Sequence, residues 1–379
     1  VAWLDEYLEY AKNNEGLENF HWWAGAAILG AVLKRNVHFS KGYYNVYPPF
    51  WLLIVSESGT KKTTSLNIAY NILSKLDTVK LLPDKSSPEA LAKALAEDEE
   101  GEEDDAQGLI YAPELANFMD NRKHNSGLVQ LLLRLADCPD KWVYRTIKGG
   151  KVNLKNIAVS FLGATTSELV RECVPPIALK TGFLARFICI SGISTPKIIA
   201  FPWKDMKLEM EVINSLYEIS LLRGVMKMGK AAEEWYLAWY FTHRRDFAAA
   251  NSERLRAYLQ RKPDYLIRLA IIIAVSDTKM LTLTVNSFEK ALVKLNGVED
   301  SLQSIYTDIE ATTHGREQLM ILDQIKRSPD GISHKELLRR NSKILSEPEK
   351  FRRLMGLLYE AGEIKMVKKN NIHYYKCVT

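Results

Sequence analysis

The chain has 379 residues, 47% of them apolar and 26% charged, which is enough for a large core and two or three globular domains. Its longest apolar runs, AAILGAVL at 26–33 and LAIIIAV at 269–275, fall short of the ~18 residues a membrane span needs, and no basic and apolar leader opens it. Four scattered cysteines (138, 173, 189 and 377) form no C-x-x-C pair, which argues against a disulfide framework or a zinc site and fits a reducing cytoplasm. A first residue of Val leads us to expect a chain cut from something longer.

Taken in order, residues 1–48 read as a helical region, with LDEYLEYAK and WWAGAAILGAVLKR apolar at three- and four-residue spacing. A core is expected over 49–200. It opens with an apolar strand at 51–55, a turn, and helical spacing through Leu66, Ala69, Leu73 and Leu76. A strand near 79–82 precedes SSPEALAKALAE, where Ser87 suits the N-cap and Pro88 the first helical position. EDEEGEEDD at 97–105 reads as a solvated, self-repelling loop. GLIYA at 108–112 and IAVSFLGA at 157–164 read as buried strands. Between them KWVYRTIKGGKVNLKN reads as a hairpin, since glycines tolerate the positive φ of tight turns. FICIS at 187–191 follows Arg186. Alternating strands and helices predict a mostly parallel sheet covered on both faces. Residues 201–312 are almost purely helical in pattern. Residues 313–379 read as three short helices and a hairpin around Asn370 and Asn371, the outline of a winged helix, with Ser333 and Glu336 at capping-box spacing. Residues 316–379 hold 14 lysines and arginines against 8 acidic residues, while the rest of the chain holds 37 against 38. All of the +5 net charge therefore sits at the C-terminal end, which points to a polyanion partner or a solvated basic face.

The turn SESGTKKTT has the layout of a phosphate-binding loop, in which backbone N–H groups and a helix start face the phosphates, a lysine adds charge and a hydroxyl holds Mg²⁺. Only one register supplies all of these, with Lys62 as the phosphate lysine and Thr63 as the metal hydroxyl. Ser58, Gly59, Thr60, Lys61, Lys62, Thr63 and Thr64 then form the ATP site, although Ser56 and Lys61 stand where glycines are usual. Otherwise the segment is a turn with exposed lysines. Glu114, two residues past an apolar strand, is the candidate base for activating water, with Glu57 its rival and Pro113 where an aspartate commonly stands. Alternatively Glu114 merely starts a helix. Thr165 and Thr166 could sense the γ-phosphate or simply cap a helix. Arg186, with Arg171 and Arg268 behind it, could act as a finger on a neighbouring subunit's nucleotide or form a surface ion pair.

Together SESGTKKTT, YAPELANFM, FLGATTSELV and GFLARF resemble a family of phage, prophage and plasmid P-loop ATPases, many known only as a domain of unknown function. The resemblance covers about residues 1–275. Loops of that family read G-P-S-G-T-x-K-T-T, so a basic residue at Lys61 is a shared trait and Ser56 a departure. The family is similar to replicative helicases and is often fused to primase modules, which implies the C-terminal helicase part of a phage primase-polymerase. The order acidic strand end, hairpin, polar strand end matches superfamily 3 helicases, whose hairpin enters a central pore; here it carries Lys148 and Lys151 for DNA. The expectation is an α/β chain with a RecA/AAA+-like P-loop NTPase core, helical domains and a C-terminal winged helix. It would act in the cytoplasm as an ATP- and Mg²⁺-dependent single-stranded DNA helicase in a hexameric ring. The alternatives are a helicase loader or initiator that uses ATP as an assembly switch, and a DNA-binding scaffold that does not hydrolyse ATP.

Overall fold

Trp3, Leu4, Tyr7, Tyr10 and Ala11 fall on one side of a helix, and they form the buried side of α1 (Trp3–Ala11). In the computed structural model every residue is described except 99, 120–126, 147–149, 175–181, 194–196, 250–252, 311–312, 329–330, 342–347, 361, 370–371 and 378–379. Helix α2 (Glu18–Leu33) is apolar on nearly all sides and is buried without a break from Trp23 to Leu33. A helix with no polar face belongs inside, and α2 packs against α1 and against the sheet described below. Its Gly30 is required by a close approach, because a Cβ there would stand 2.9 Å from the Pro48 carbonyl oxygen.

The chain then makes β1 (Val37–Ser40) and β2 (Asn45–Val46), an antiparallel pair, and enters β3 (Trp51–Val55), buried at all five positions. Helix α3 (Lys62–Leu73) and the two-residue β4 (Leu81–Leu82) follow. Helix α4 (Pro88–Ala96) starts as read: Ser87 Oγ accepts from the Ala90 N–H at 3.2 Å, and Pro88 occupies the first turn. The described residues of the acidic run are mostly exposed yet folded, with an antiparallel bridge between Glu97 and Glu103 and Gly101 at φ +85°. Lys80 reaches Asp104 at 2.8 Å, and Lys155 meets Glu103, so lysines distant in sequence offset its self-repulsion.

Strand β5 (Gln107–Ala112), helices α5 (Leu115–Met119) and α6 (Leu128–Leu135), and the hairpin β6 (Lys141–Thr146) with β7 (Gly150–Lys155) come next. Strand β8 (Ala158–Thr165) is buried at all eight positions and leads into α7 (Ser167–Cys173). A 3₁₀ turn at Leu184–Arg186 then feeds β9 (Phe187–Ile190). Five strands pair in the order β4-β5-β8-β3-β9, and every pairing is parallel. Covered on both faces, they are continuously apolar rather than alternating. Trp51, Phe161 and Phe187 meet at ring-centroid distances of 5.1–5.5 Å and lock β3, β8 and β9 in register.

After the sheet come helix α8 (Met206–Ser220), strands β10 (Gly224–Val225) and β11 (Lys227–Met228), helices α9 (Lys230–Ala249) and α10 (Glu253–Thr278), strand β12 (Thr282–Leu283) and helix α11 (Val285–Glu310). The short strands pair parallel, β10 with β1 and β11 with β12. At two residues each they leave no periodic trace, and the sequence reading of this stretch missed them.

The chain divides into two compact units, Val1–Tyr306 and Thr307–Thr379. The second contains α12 (Thr313–Lys326), β13 (Ile332–Ser333), α13 (His334–Asn341), α14 (Pro348–Glu360), β14 (Ile364–Lys369) and β15 (Ile372–Cys377). Its strands form an antiparallel sheet in the order β13-β15-β14 over a core that includes Ile325, Leu337, Phe351, Leu354 and Ile364. Ser333 Oγ accepts from the Glu336 N–H at 3.2 Å, one half of the expected capping box. The residues 370 and 371, read as the turn of the last hairpin, lie outside the described residues.

Alanine favours helices over glycine, yet Gly30→Ala should destabilise the protein by about 1–3 kcal/mol, because the added methyl meets backbone that cannot rotate away. Urea denaturation of the two proteins measures the sign.

Candidate functional site

In a parallel sheet the C-terminal strand ends share one edge, and loops at that edge are where ligands bind in open α/β folds. Val55, the last residue of β3, lies opposite Thr165 of β8, and Ala112 of β5 lies opposite Gly163. Glu114 follows two residues past the end of β5, in the bend that leads into α5. Neighbouring strands are ~4.8 Å apart, so the ends of β3 and β5 stand about 10 Å apart with β8 between them.

The 56–61 turn is held from several sides. Ser56 donates its N–H to the Thr165 carbonyl at 3.2 Å and its hydroxyl to the Gly192 carbonyl. Thr60 donates its hydroxyl to the Glu57 carbonyl at 2.9 Å. Gly59 has φ +87°, and nothing lies within 4 Å of where a Cβ would stand. Lys61 takes the left-handed conformation (φ 57°, ψ 26°) that a glycine would adopt without cost, and it turns the chain into α3. Its ammonium pairs with Glu15 at 2.9 Å and holds that carboxyl below its ordinary pKa.

Lys62 is buried and folds back over the turn, donating to the carbonyl oxygens of Ser56 (2.8 Å) and Glu57 (2.6 Å). Burial lowers its pKa, and the Glu57 carboxylate opposes that shift. No side chain caps the start of α3. Uncapped N–H groups, the positive helix end and a lysine ammonium therefore converge at one place, an arrangement that attracts anions. Ser58 and Thr63 are exposed beside it, and Thr64 is half-buried.

Glu114 is exposed, and its carboxylate accepts from Asn117 Nδ2 at 2.6 Å while its carbonyl starts α5. Thr165 is buried and donates to the Thr166 carbonyl at 3.3 Å. Thr166 Oγ1 caps α7 by accepting from the Leu169 N–H at 3.2 Å. Tyr70 of α3 stacks on Tyr111 of β5 with ring centroids 4.2 Å apart, and Tyr111 donates to Asn67, so the helix after the turn is fastened to the strand before Glu114. Sequence reading missed this pair, although two tyrosines at facing element positions were its signal.

The structure brings Ser58 to Thr64, Glu114, Thr165 and Thr166 to one sheet edge. Arg186 is elsewhere. It precedes the first residue of β9, which pairs with Trp51 at the start of β3, so it sits at the opposite edge, about 17 Å from the level of Val55 along the strand. There it donates to Asp137 and to the Gly182 carbonyl, each at 3.3 Å. Arg268 lies at the same edge and donates to the Pro49 carbonyl at 2.6 Å. Arg171, on α7, lies 3.9 Å from Glu168.

Lys148 lies outside the described residues. Lys151 is exposed on β7, directly opposite Arg145 of β6. Trp142, Tyr144, Val152 and Leu154 occupy the more buried face of this hairpin, and Lys141, Arg145, Lys151 and Lys155 share the exposed one. Sequence reading missed Lys141 and Arg145, because their common face emerges only once the strand register is known.

Behind the turn, His21 of α2 stands 3.0 Å from Asn14 Oδ1 and 3.4 Å from the hydroxyl of Ser65, whose N–H donates to the Lys61 carbonyl at 3.1 Å. Burial, with a smaller contribution from Lys197, lowers the His21 pKa to about 4. Among the described residues, no group of three or more His, Cys, Asp or Glu side chains is arranged to hold a metal ion, and no helix is long and apolar enough to cross a membrane. No known protein-family model matches the chain, and no curated protein sequence matches it.

Lys61→Val should lower stability by about 1–2 kcal/mol, since a β-branched residue resists the left-handed conformation, whereas Lys61→Gly should not; urea denaturation separates the two. His21 is neutral in the folded protein and protonates in the unfolded chain near pH 6.5. Stability should therefore fall as pH drops from 6.5 towards 4, by about 3 kcal/mol at most, and a stability–pH series on His21→Asn should lose that part of the slope.

Proposed function

We propose that the chain is a P-loop ATPase, of the kind its motifs resemble in phages and plasmids, that moves along single-stranded DNA. The observation that carries this reading is the convergence of Lys62 with the uncapped α3 start, Glu114 and Thr165/Thr166 at the C-terminal ends of three adjacent parallel strands.

In this reading the backbone N–H groups of residues 58–64 receive the phosphates of ATP. The Lys62 ammonium leaves the Ser56 and Glu57 carbonyls for phosphate oxygens, exchanging one set of acceptors for a charged one. Thr63 offers an exposed hydroxyl to Mg²⁺, which keeps several waters and so tolerates a site with few protein ligands; when bound, it neutralises charge on the transferred phosphate. Glu114 takes the proton of the attacking water, with Asn117 orienting its carboxylate. Thr166 has its oxygen occupied by the cap but keeps an O–H to donate to the γ-phosphate. Arg186 lies too far from its own loop to serve there and would act as a finger on a neighbour's nucleotide in a hexameric ring, after release from Asp137.

DNA fits the hairpin for an electrostatic reason. Lys151 faces Arg145, like charges directly across a strand pair, and a phosphate backbone relieves that repulsion; Lys141 shares their face. Lys148 would extend the same face. The second unit follows the helix–strand–helix–helix–strand–strand order of a winged helix, with Arg352 and Arg353 exposed on α14, and would hold DNA or a partner such as a fused or separate primase-polymerase in the host cytoplasm. Pro113 in place of an aspartate favours, as the second reading, a helicase loader or initiator switched by ATP, or a non-hydrolysing scaffold.

A DNA-stimulated ATPase assay tests the proposal. Lys62→Ala should abolish nucleotide binding, and Glu114→Gln should keep binding while turnover falls about 10²–10⁴-fold. Turnover that survives Lys62→Ala, or none in the intact protein, would sink the motor reading. Replacing Arg145 and Lys151 together by alanine should weaken single-stranded DNA binding and reduce its log–log salt slope by about 1–2 while leaving basal ATPase unchanged.

A further inference from the structure

We infer that the N-terminal edge of the sheet carries an oxyanion pocket, built by Arg186, Arg261 and Arg268, that takes a phosphate-class anion. The pocket lies across the sheet from the 56–61 turn and does not rest on the ATP reading.

A cavity of about 120 Å³ opens beside Trp51, where β3 begins, and all three arginines line it. That volume equals a few water molecules at ~30 Å³ each in the liquid, enough for a small tetrahedral oxyanion. Two carboxylates share the lining, and both are engaged. Asp137 accepts from Arg186 at 3.3 Å and Arg261 at 3.5 Å, while Asp264 accepts from Lys41 at 2.9 Å and Tyr44 at 3.2 Å. Four cations thus meet two anions. The Asp137 contacts are also long for charge-assisted bonds, which typically span ~2.7–2.9 Å, so an incoming anion displaces little.

Donor accounting points the same way. Arg186 and Arg268 each keep a buried Nε–H with no acceptor, although Arg186 also donates to Gly182 and Arg268 to Pro49. Buried donors are almost always paired, and these two unpaired ones belong to side chains that line a single cavity. Tyr265 marks the common point of the three side chains. Its hydroxyl donates to the Ala185 carbonyl at 2.9 Å, and burial raises its pKa to about 12 against the opposing influence of all three guanidiniums. A guanidinium presents its donors in a planar fork that matches phosphate oxygens two at a time, which selects phosphate over a spherical anion.

Free phosphate and the terminal phosphate of a nucleotide on a second copy of this chain share that chemistry. Calorimetric titration of the full chain with inorganic phosphate, in the Lys62→Ala background, reads this pocket apart from the α3 start. One phosphate should bind, and adding Arg261→Gln or Arg268→Gln should weaken it about tenfold or more. Arg261, whose side chain is 36% exposed, is the decisive position if Arg268→Gln fails to fold. A dissociation constant independent of protein concentration assigns the pocket to free phosphate, and one that tightens as copies associate places it at a contact between copies, where a neighbour's nucleotide would supply the anion. Absence of binding in the Lys62→Ala protein, or binding indifferent to both arginine substitutions, overturns the inference.

Discussion

Parallel pairing of β3 with β8 on one side and β9 on the other is the constraint from which the chemistry of the first unit follows. Parallel strands cannot be joined by tight turns, so every return path is a helix or an excursion, and all strands point the same way. One edge of the sheet then collects helix starts, with their unpaired N–H groups, and the other collects helix ends and connecting turns. Lys62, Glu114 and Thr166 stand at the first edge, and Arg186, Arg261 and Arg268 at the second. Strand direction places Lys62, Glu114, Thr166 and Arg186, and the later helix α10 brings Arg261 and Arg268 to the second edge. No local preference of these residues imposes that partition.

Helix α3 is fixed at both of its ends by charges from elsewhere in the chain. At its start Lys61 reaches Glu15, between α1 and α2. Just past its end Lys75 reaches Glu209 of α8 at 2.8 Å, and the same carboxylate accepts from Tyr10 at 2.9 Å and Lys204 at 3.2 Å. Burial alone would raise the Glu209 pKa, but bonds from Lys75, Tyr10 and Lys204 outweigh it and hold the group below its ordinary value. A buried carboxylate so surrounded remains ionised, and it ties α1, α3 and α8 to a common point.

Much of this architecture was legible because fully buried parallel strands are uninterrupted apolar words: WLLIV and AVSFLGAT announce themselves. Ser87 before Pro88 announces a helix start in the same way. Other features carry no local sign. A lysine in the left-handed region looks like any other lysine, and Lys61 is recognised only from its φ. Strands as short as β10 or β11 exist because a neighbouring strand offers them an edge. The solvated reading of the acidic run held for its exposure and missed its fold, since the lysines that offset its charge lie at positions 80 and 155. Arg145 and Arg261 were missed for the same reason: each acquires its meaning from a partner strand or helix far along the chain.

The interior position of α2 has a consequence for the modularity of the molecule. A helix with no wet face cannot be left off without opening a trough along the sheet, and this one also carries His21, which backs the turn into α3. The first three dozen residues are therefore part of the foundation of the site, although they contribute none of its proposed catalytic groups. The strand–turn–helix from Trp51 to Leu73 is not a portable cassette: grafted into another sheet, it would take the lysines along and leave behind the scaffolding that shapes them.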